Sequence, residues 1–170
     1  FPLTAVDQAA DVGMVEPRDE ADFLEKSLRR DGDGQLRPEH LEGHVTALGG
    51  LTMGADAAAF ATAGIAATRG RPLKAFSVRK EAKDHGGGGR LAGALDPGDK
   101  VAITEDAVTR GVSMLEAAEV VRACGAEPVL LVPVVDRGGT VTDLAAEQGL
   151  AVRALVTAPD LGFPFERDVV

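Results

Sequence analysis

The chain has no tryptophan, no tyrosine and one cysteine among its 170 residues, and aromatic side chains make up only 4% of it. A core without large rings must be filled by Ala, Val and Leu, which suits helices packed closely on a sheet. The one cysteine, Cys124, excludes an intrachain disulfide; on the apolar side of a helix it reads as a small hydrophobe, and the compartment as a reducing one. No apolar run approaches the roughly 20 residues of a membrane span and no signal peptide is visible, so a cytoplasmic protein with no membrane partner is expected. The first residue is Phe1 rather than Met, which leaves room for a preceding segment. Metal-ligating patterns are lacking as well. His40 and His44 have no partners at ligand spacing, and Asp31 to Leu36 fails as a calcium loop, because aligning its Gly34 places Arg29 and His40 where ligands belong.

Positive charge is also scarce. A net charge of −9 excludes nucleic acid as a general partner, since phosphate backbones attract basic surfaces. Yet Arg79, Lys80, Lys83 and Arg90 flank the four glycines Gly86 to Gly89, and a basic loop on an acidic protein focuses an anion where the rest of the surface repels it. The length fits a single domain over 1–170, with one sizeable core.

Helical spacing over 18–29 is followed by a short buried strand at 44–48, a glycine turn from Gly49 to Asp56, and an Ala-rich helix from about 55 to 68. Strands are expected at 73–78, 100–104, 129–135 and 150–156, and helices at 112–124, closed by Gly125, and 140–148. Residues 80–90 have no periodicity and read as a flexible loop. Strands alternating with helices imply a doubly wound, mostly parallel α/β sheet flanked by helices, with ligands at the carboxyl ends of its strands.

At one such end stands Val101-Ala-Ile-Thr-Glu-Asp-Ala-Val-Thr-Arg-Gly-Val-Ser113. The amides of Val108 to Ser113 fall where a helix N-terminus gathers unsatisfied N–H groups and the positive end of its dipole. Thr109 and Ser113 add hydroxyl donors, and Gly111 admits backbone close to a phosphate. Glu105 and Asp106 can accept hydrogen bonds from the cis hydroxyls of a ribose. A carboxylate pair ahead of a phosphate cradle reads as recognition of a ribose 5-phosphate.

This stretch resembles the phosphoribosyl pyrophosphate (PRPP) signature of the type I phosphoribosyltransferases. Arg79-Lys-Glu-Ala-Lys-Asp-His-Gly86 resembles the catalytic loop of the orotate phosphoribosyltransferase family, Gly49-Gly-Leu-Thr-Met-Gly-Ala-Asp56 its pyrophosphate loop, and Val134-Val-Asp-Arg137 its strand-end Asp-Arg. The four motifs stand in family order between residues 45 and 140. The resemblance implies the type I phosphoribosyltransferase fold, with a divergent base-recognition segment at 1–43, an α/β core at 44–157 and a tail at 158–170. It implies catalytic roles for Lys80, Lys83, His85 and Asp106. PRPP would be held by Arg79, Lys80, Lys83, His85, Glu105 and Asp106, by the run Ala107, Val108, Thr109, Arg110, Gly111, Val112 and Ser113, and by Gly50 and Thr52. Thr109 and Arg137 would bind the base, a guanidinium suiting the carboxylate of orotate. Mg²⁺ would enter mainly on PRPP oxygens, so no protein-held metal is expected. A homodimer sharing loop 80–90 across its interface is implied too.

Some positions depart from the family pattern. No lysine occurs in Leu51 to Asp56, Ala5-Val6 replaces a Ser-Gly pair after Phe1-Pro-Leu-Thr4, and Asp11, Val12 and Gly13 stand where aromatic residues are expected. Arg110 occupies a place that is commonly small. Orotate is the favoured base; another heterocycle, or a non-catalytic PRPP-sensing role, is the alternative.

Overall fold

A computed structural model of the chain describes residues 45–82 and 89–168. The N-terminal segment 1–43 with the helix expected at 18–29, His40, His44, and Lys83, His85 and Gly86 to Gly88 of the loop lie outside the described residues.

β1 (Ala47–Leu51) is buried along its whole length and forms the centre of the sheet, paired in parallel with β2 (Lys74–Val78) on one side and β4 (Lys100–Val108) on the other. Its two glycines permit this closeness. A methyl on Gly49 would lie 2.3 Å from the Phe76 carbonyl oxygen, and one on Gly50 would lie 2.2 Å from that of Thr104. β3 (Leu91–Gly93) runs antiparallel to β2 at one edge; β5 (Glu127–Asp136), β6 (Ala151–Val152) and β7 (Val156–Thr157) extend the other edge in parallel. The order β3-β2-β1-β4-β5-β6, with β7 also on β5, reverses between β1 and β4. That reversal is where an open parallel sheet forms its ligand crevice.

α1 (Gly54–Thr68) packs on β1, β2 and β4, whereas α2 (Val112–Ala123) packs on β1, β4 and β5. α2 buries Met114, Ala117, Ala118 and Val121, the i, i+3, i+4, i+7 stripe of an amphipathic helix. With Phe76, Ile103, Leu131 and Val141 of α3 (Val141–Glu147) they make the core. Phe76 is its largest fully buried side chain. No helix among the described residues is long and apolar enough to cross a membrane.

Four details differ from the sequence expectation. The first strand starts at 47 instead of 44, so Gly49 and Gly50 belong to it and not to the turn. β4 continues to Val108 because its parallel pairing with β5 runs on to Val108–Asp136, placing Glu105 and Asp106 inside a strand end instead of on a turn. The strand expected at 150–156 is two short pieces. Between them Leu155 donates its amide to the Pro133 carbonyl at 3.0 Å, and Pro133 has no N–H to return. The three-residue edge strand β3 was too short to carry a pattern.

Candidate active site

The crevice between β1 and β4 brings two of the sequence motifs together. Gly54, the first residue of α1, faces the acid pair at the end of β4: a methyl there would sit 2.7 Å from Asp106 Oδ1 and 3.4 Å from Glu105 Oε1. Asp106 is exposed, and its Oδ1 accepts from the Ala107 amide at 2.7 Å. Glu105 is half-buried and accepts a short hydrogen bond from the Ser113 hydroxyl. Burial pushes the Glu105 carboxyl above its usual value; the Ser113 hydroxyl opposes this, the Asp106 charge adds to it, and Lys80 opposes it. Two acids this close to the glycine turn form an acceptor-rich patch suited to hydroxyl groups.

Beyond β4 the chain turns at Thr109 and Arg110 and enters α2 through Gly111. Gly111 has φ +78, and a methyl on it would lie 2.5 Å from Val141 Cγ2. Left-handed backbone and close packing on α3 both require glycine here. Among the described residues no side chain caps α2, so its first-turn amides carry no side-chain acceptor there. The Ser113 hydroxyl, expected to be free for phosphate, donates to Glu105.

Thr52 and Met53 form the turn before α1, joined by a cis peptide. The Thr52 hydroxyl donates to Asp56 Oδ2 at 2.8 Å, and the Ser77 hydroxyl makes a short hydrogen bond to Asp56 Oδ1. Asp56 thereby ties this turn to the end of β2, one residue before Val78 and two before Arg79. The sequence reading did not single out Asp56 or Ser77 for that role; an acid in a helix's first turn is the signal that could have found Asp56.

The stem of loop 80–90 is fastened by its arginines. The Arg79 amide donates to the Arg90 carbonyl at 2.7 Å and Arg90 Nε donates to the Arg79 carbonyl at 2.7 Å, while Arg90 makes a short ion pair with Glu116 of α2. Of the loop cations expected from sequence, Arg79, Lys80 and Arg90 fall in the described residues: Arg79 NH1 donates to the Gly89 and Leu91 carbonyls at 3.5 and 3.4 Å, and Lys80 is exposed, its charge acting on Glu105.

Thr109 and Arg137, named together from sequence, meet: Arg137 NH2 donates to Thr109 Oγ1 at 3.0 Å. The loops that carry them interlock. Arg137 donates its amide to the Val108 carbonyl at 2.8 Å, and the Thr140 hydroxyl donates to the Thr109 carbonyl at 3.0 Å. A methyl on Gly138 would fall 1.7 Å from that same carbonyl. Asp136, buried at the end of β5, accepts from the Gly138 and Gly139 amides at 3.1 and 2.9 Å and so shapes the turn behind Arg137. Gly138 and Thr140 had no place in the sequence reading, although a Gly-Gly-Thr directly after a strand end marks a tight turn. Arg110 is exposed on the neighbouring turn.

No family model matches the chain. It is 41% identical over 154 residues to an orotate phosphoribosyltransferase of Streptomyces avermitilis, an alignment that covers 84% of each chain. The chain belongs to the orotate phosphoribosyltransferase family. An orotate phosphoribosyltransferase of Corynebacterium glutamicum is 42% identical over 127 residues, covering 75% of this chain and 67% of its own. Against the relative from Rhodopirellula baltica the identity is 39% over 116 residues, and the chain spans only 60% of that relative's length. Among solved structures, the orotate phosphoribosyltransferase of Mycobacterium tuberculosis in complex with Fe(III) dicitrate superposes with a TM-score of 0.65 at 36% identity, covering 74% of this chain and 70% of the other. The same enzyme in complex with PRPP gives 0.62 at 34% identity, covering 72% and 68%. The mostly parallel sheet flanked by helices is the type I phosphoribosyltransferase fold that family membership entails.

Proposed function

We propose that the chain catalyses phosphoribosyl transfer from PRPP to orotate: the bond from C1 of the ribose to diphosphate breaks, a bond from C1 to a ring nitrogen of orotate forms as that nitrogen loses its proton to solvent, and orotidine 5′-monophosphate and diphosphate leave. The observation that supports this reading most is the approach of Gly54 to Glu105 and Asp106, which brings the glycine turn and the acid pair, the two motifs it assigns to diphosphate and ribose, next to each other. Glu105 and Asp106 accept from the ribose hydroxyls, Asp106 belonging also to the catalytic set. The backbone from Ala107 to Ser113 takes the 5-phosphate, and the segment from Gly50 at the end of β1 through Thr52 to Gly54 takes the diphosphate. Lys80, Lys83 and His85, together with Arg79, meet the charge that develops on the departing diphosphate, where cations stabilise the transition state more than the ground state. Thr109 and Arg137 hold the base and its carboxylate.

The donors near the crevice are hard carboxylate oxygens, which suit Mg²⁺ delivered on PRPP and still largely hydrated; bound there, it neutralises diphosphate charge. A homodimer sharing loop 80–90 is part of the same reading, supported by Met53, Phe60 and Ile65, apolar side chains exposed on α1 and the turn before it. So are a single domain over residues 1–170, with 1–43 contributing to base recognition, and a cytoplasmic location, which the single cysteine favours.

The test is a panel of nucleobases assayed with Mg-PRPP for diphosphate release. Orotate should be the preferred acceptor. Preference for another heterocycle would reassign the base, and PRPP binding without turnover on any base would turn the reading to a sensor.

A further inference from the structure

We propose that Glu166, on the segment that follows β7, is a positioning residue that sets the direction of the Arg137 guanidinium and thereby the affinity for the carboxylate of the acceptor base. The inference rests on the reading of Arg137 as the carboxylate-binding residue.

Three contacts fasten this segment over the Arg137 turn. The Glu166 amide donates to the Arg137 carbonyl at 2.9 Å. The Phe165 ring lies so close to Gly139 that a methyl there would be 2.7 Å from the ring. Arg167 sits over the Phe165 ring, 5.5 Å from its centroid, and reaches Asp143 of α3 at 3.5 Å. Glu166 is thus held at a fixed place beside Arg137, with Oε1 3.4 Å from Arg137 Nε.

The guanidinium is planar and carries five N–H donors. Nε lies at ion-pair distance from Glu166 while NH2 donates to Thr109, so the guanidinium is held by two partners at once. Among the described residues NH1 has no partner, which leaves its two hydrogens available to a carboxylate. A Glu166 side chain at 3.4 Å, with Arg137 54% and Glu166 48% exposed, is a loose pair in contact with solvent. Such pairs add little to folding, so its loss should be felt in the direction of the guanidinium and hardly in the stability of the domain.

The experiment compares Michaelis constants of the full chain for orotate and for PRPP in wild type, Glu166→Ala, Glu166→Gln and Phe165→Ala. Loss of an exposed ion pair corresponds to about three- to fivefold in affinity, so Glu166→Ala should raise the KM for orotate by that factor. The KM for PRPP and the melting temperature should stay at wild-type values. Glu166→Gln, which keeps the oxygen that faces Arg137, should recover part of the effect, and Phe165→Ala should reproduce it by loosening the segment. An unchanged or lowered orotate KM in Glu166→Ala overturns the proposal, as does a parallel rise in both constants, which would mean general disruption. A wild-type protein that makes no nucleotide from orotate removes the reading of Arg137 and this inference with it; an active wild type beside an unaffected Glu166→Ala removes the inference alone.

Discussion

Where the parallel strands begin, Asp99 receives hydrogen bonds from Lys74, from Thr46 and from the Asp96 amide, and Lys74 also reaches Asp96. Where they end, Glu105 and Asp106 stand side by side with one hydroxyl and one amide as donors. Burial by itself would raise the Asp99 carboxyl, but the bonds from Lys74, Asp96 and Thr46 outweigh it and hold that group below its usual value. Burial raises Glu105 and is not outweighed. The difference lies in where the partners come from. A buried acid with donors inside the fold stabilises the fold, whereas an acid pair with few donors among the described residues is suited to donors that arrive with a ligand, the role proposed for Glu105 and Asp106.

If that contrast holds, changes at the two ends separate into activity and stability. The largest effect should come from Lys83→Ala: loss of a cation that meets the departing diphosphate lowers kcat about 100-fold, far more than it raises the KM for PRPP. Steady-state kinetics with PRPP varied checks this, and a wild-type kcat would remove the catalytic role. In a dimer that shares the loop, mixing Lys83→Ala subunits with subunits disabled at Asp106 should restore activity, because a hybrid has one site with both residues intact.

At the opposite end, Asp99→Asn should leave kcat unaltered and lower the unfolding free energy by about 1–3 kcal/mol, the cost of weakening charged hydrogen bonds around a buried group. Denaturant titration measures it. Equal stability would show that the network is ornamental.

A smaller effect concerns pH. The Asp99 carboxyl is held low, so its contribution to stability is complete above the ordinary carboxylate value of about 4 and is lost as pH falls through the lower folded value. Lys74 is raised by its bonds to Asp96 and Asp99, so its contribution is complete below the ordinary lysine value of about 10.4 and is lost as pH rises through the folded one. Glu105 has the opposite sign to Asp99: ionising it costs stability as pH rises from the ordinary glutamate value toward the raised one. Melting temperature against pH should show an acid limb below pH 4 in wild type that is shallower in Asp99→Asn; identical limbs would assign acid unfolding to other carboxylates.

The same two ends show what the sequence made legible. The acid pair, the glycine turn and the Asp136-Arg137 strand end stood out because each combines unusual residues at a strand terminus, and the mostly parallel sheet follows from the alternation of strands and helices. Thr109 with Arg137 was found as a pair by resemblance, and the two are in contact. What escaped depends on distance in space. Ser113 reads as a phosphate donor until the fold turns its hydroxyl to Glu105, and nothing local tells that Glu166 returns to Arg137 across 28 intervening positions of chain. The Lys74–Asp99 network is equally silent in sequence, since each member is an ordinary surface residue until parallel pairing brings the strand starts together. Pro133 carries the one local clue to a broken edge, a missing donor in an otherwise continuous strand.

Calorimetric titration of Mg-PRPP into wild type and into Asp106→Asn tests the central claim most directly, because it addresses the acid pair without the acceptor base. The account predicts saturable binding to wild type, about tenfold or more weaker binding to Asp106→Asn from the lost charged hydrogen bonds, and the same melting temperature for both proteins. Equal affinity for PRPP in the two folded proteins would contradict it.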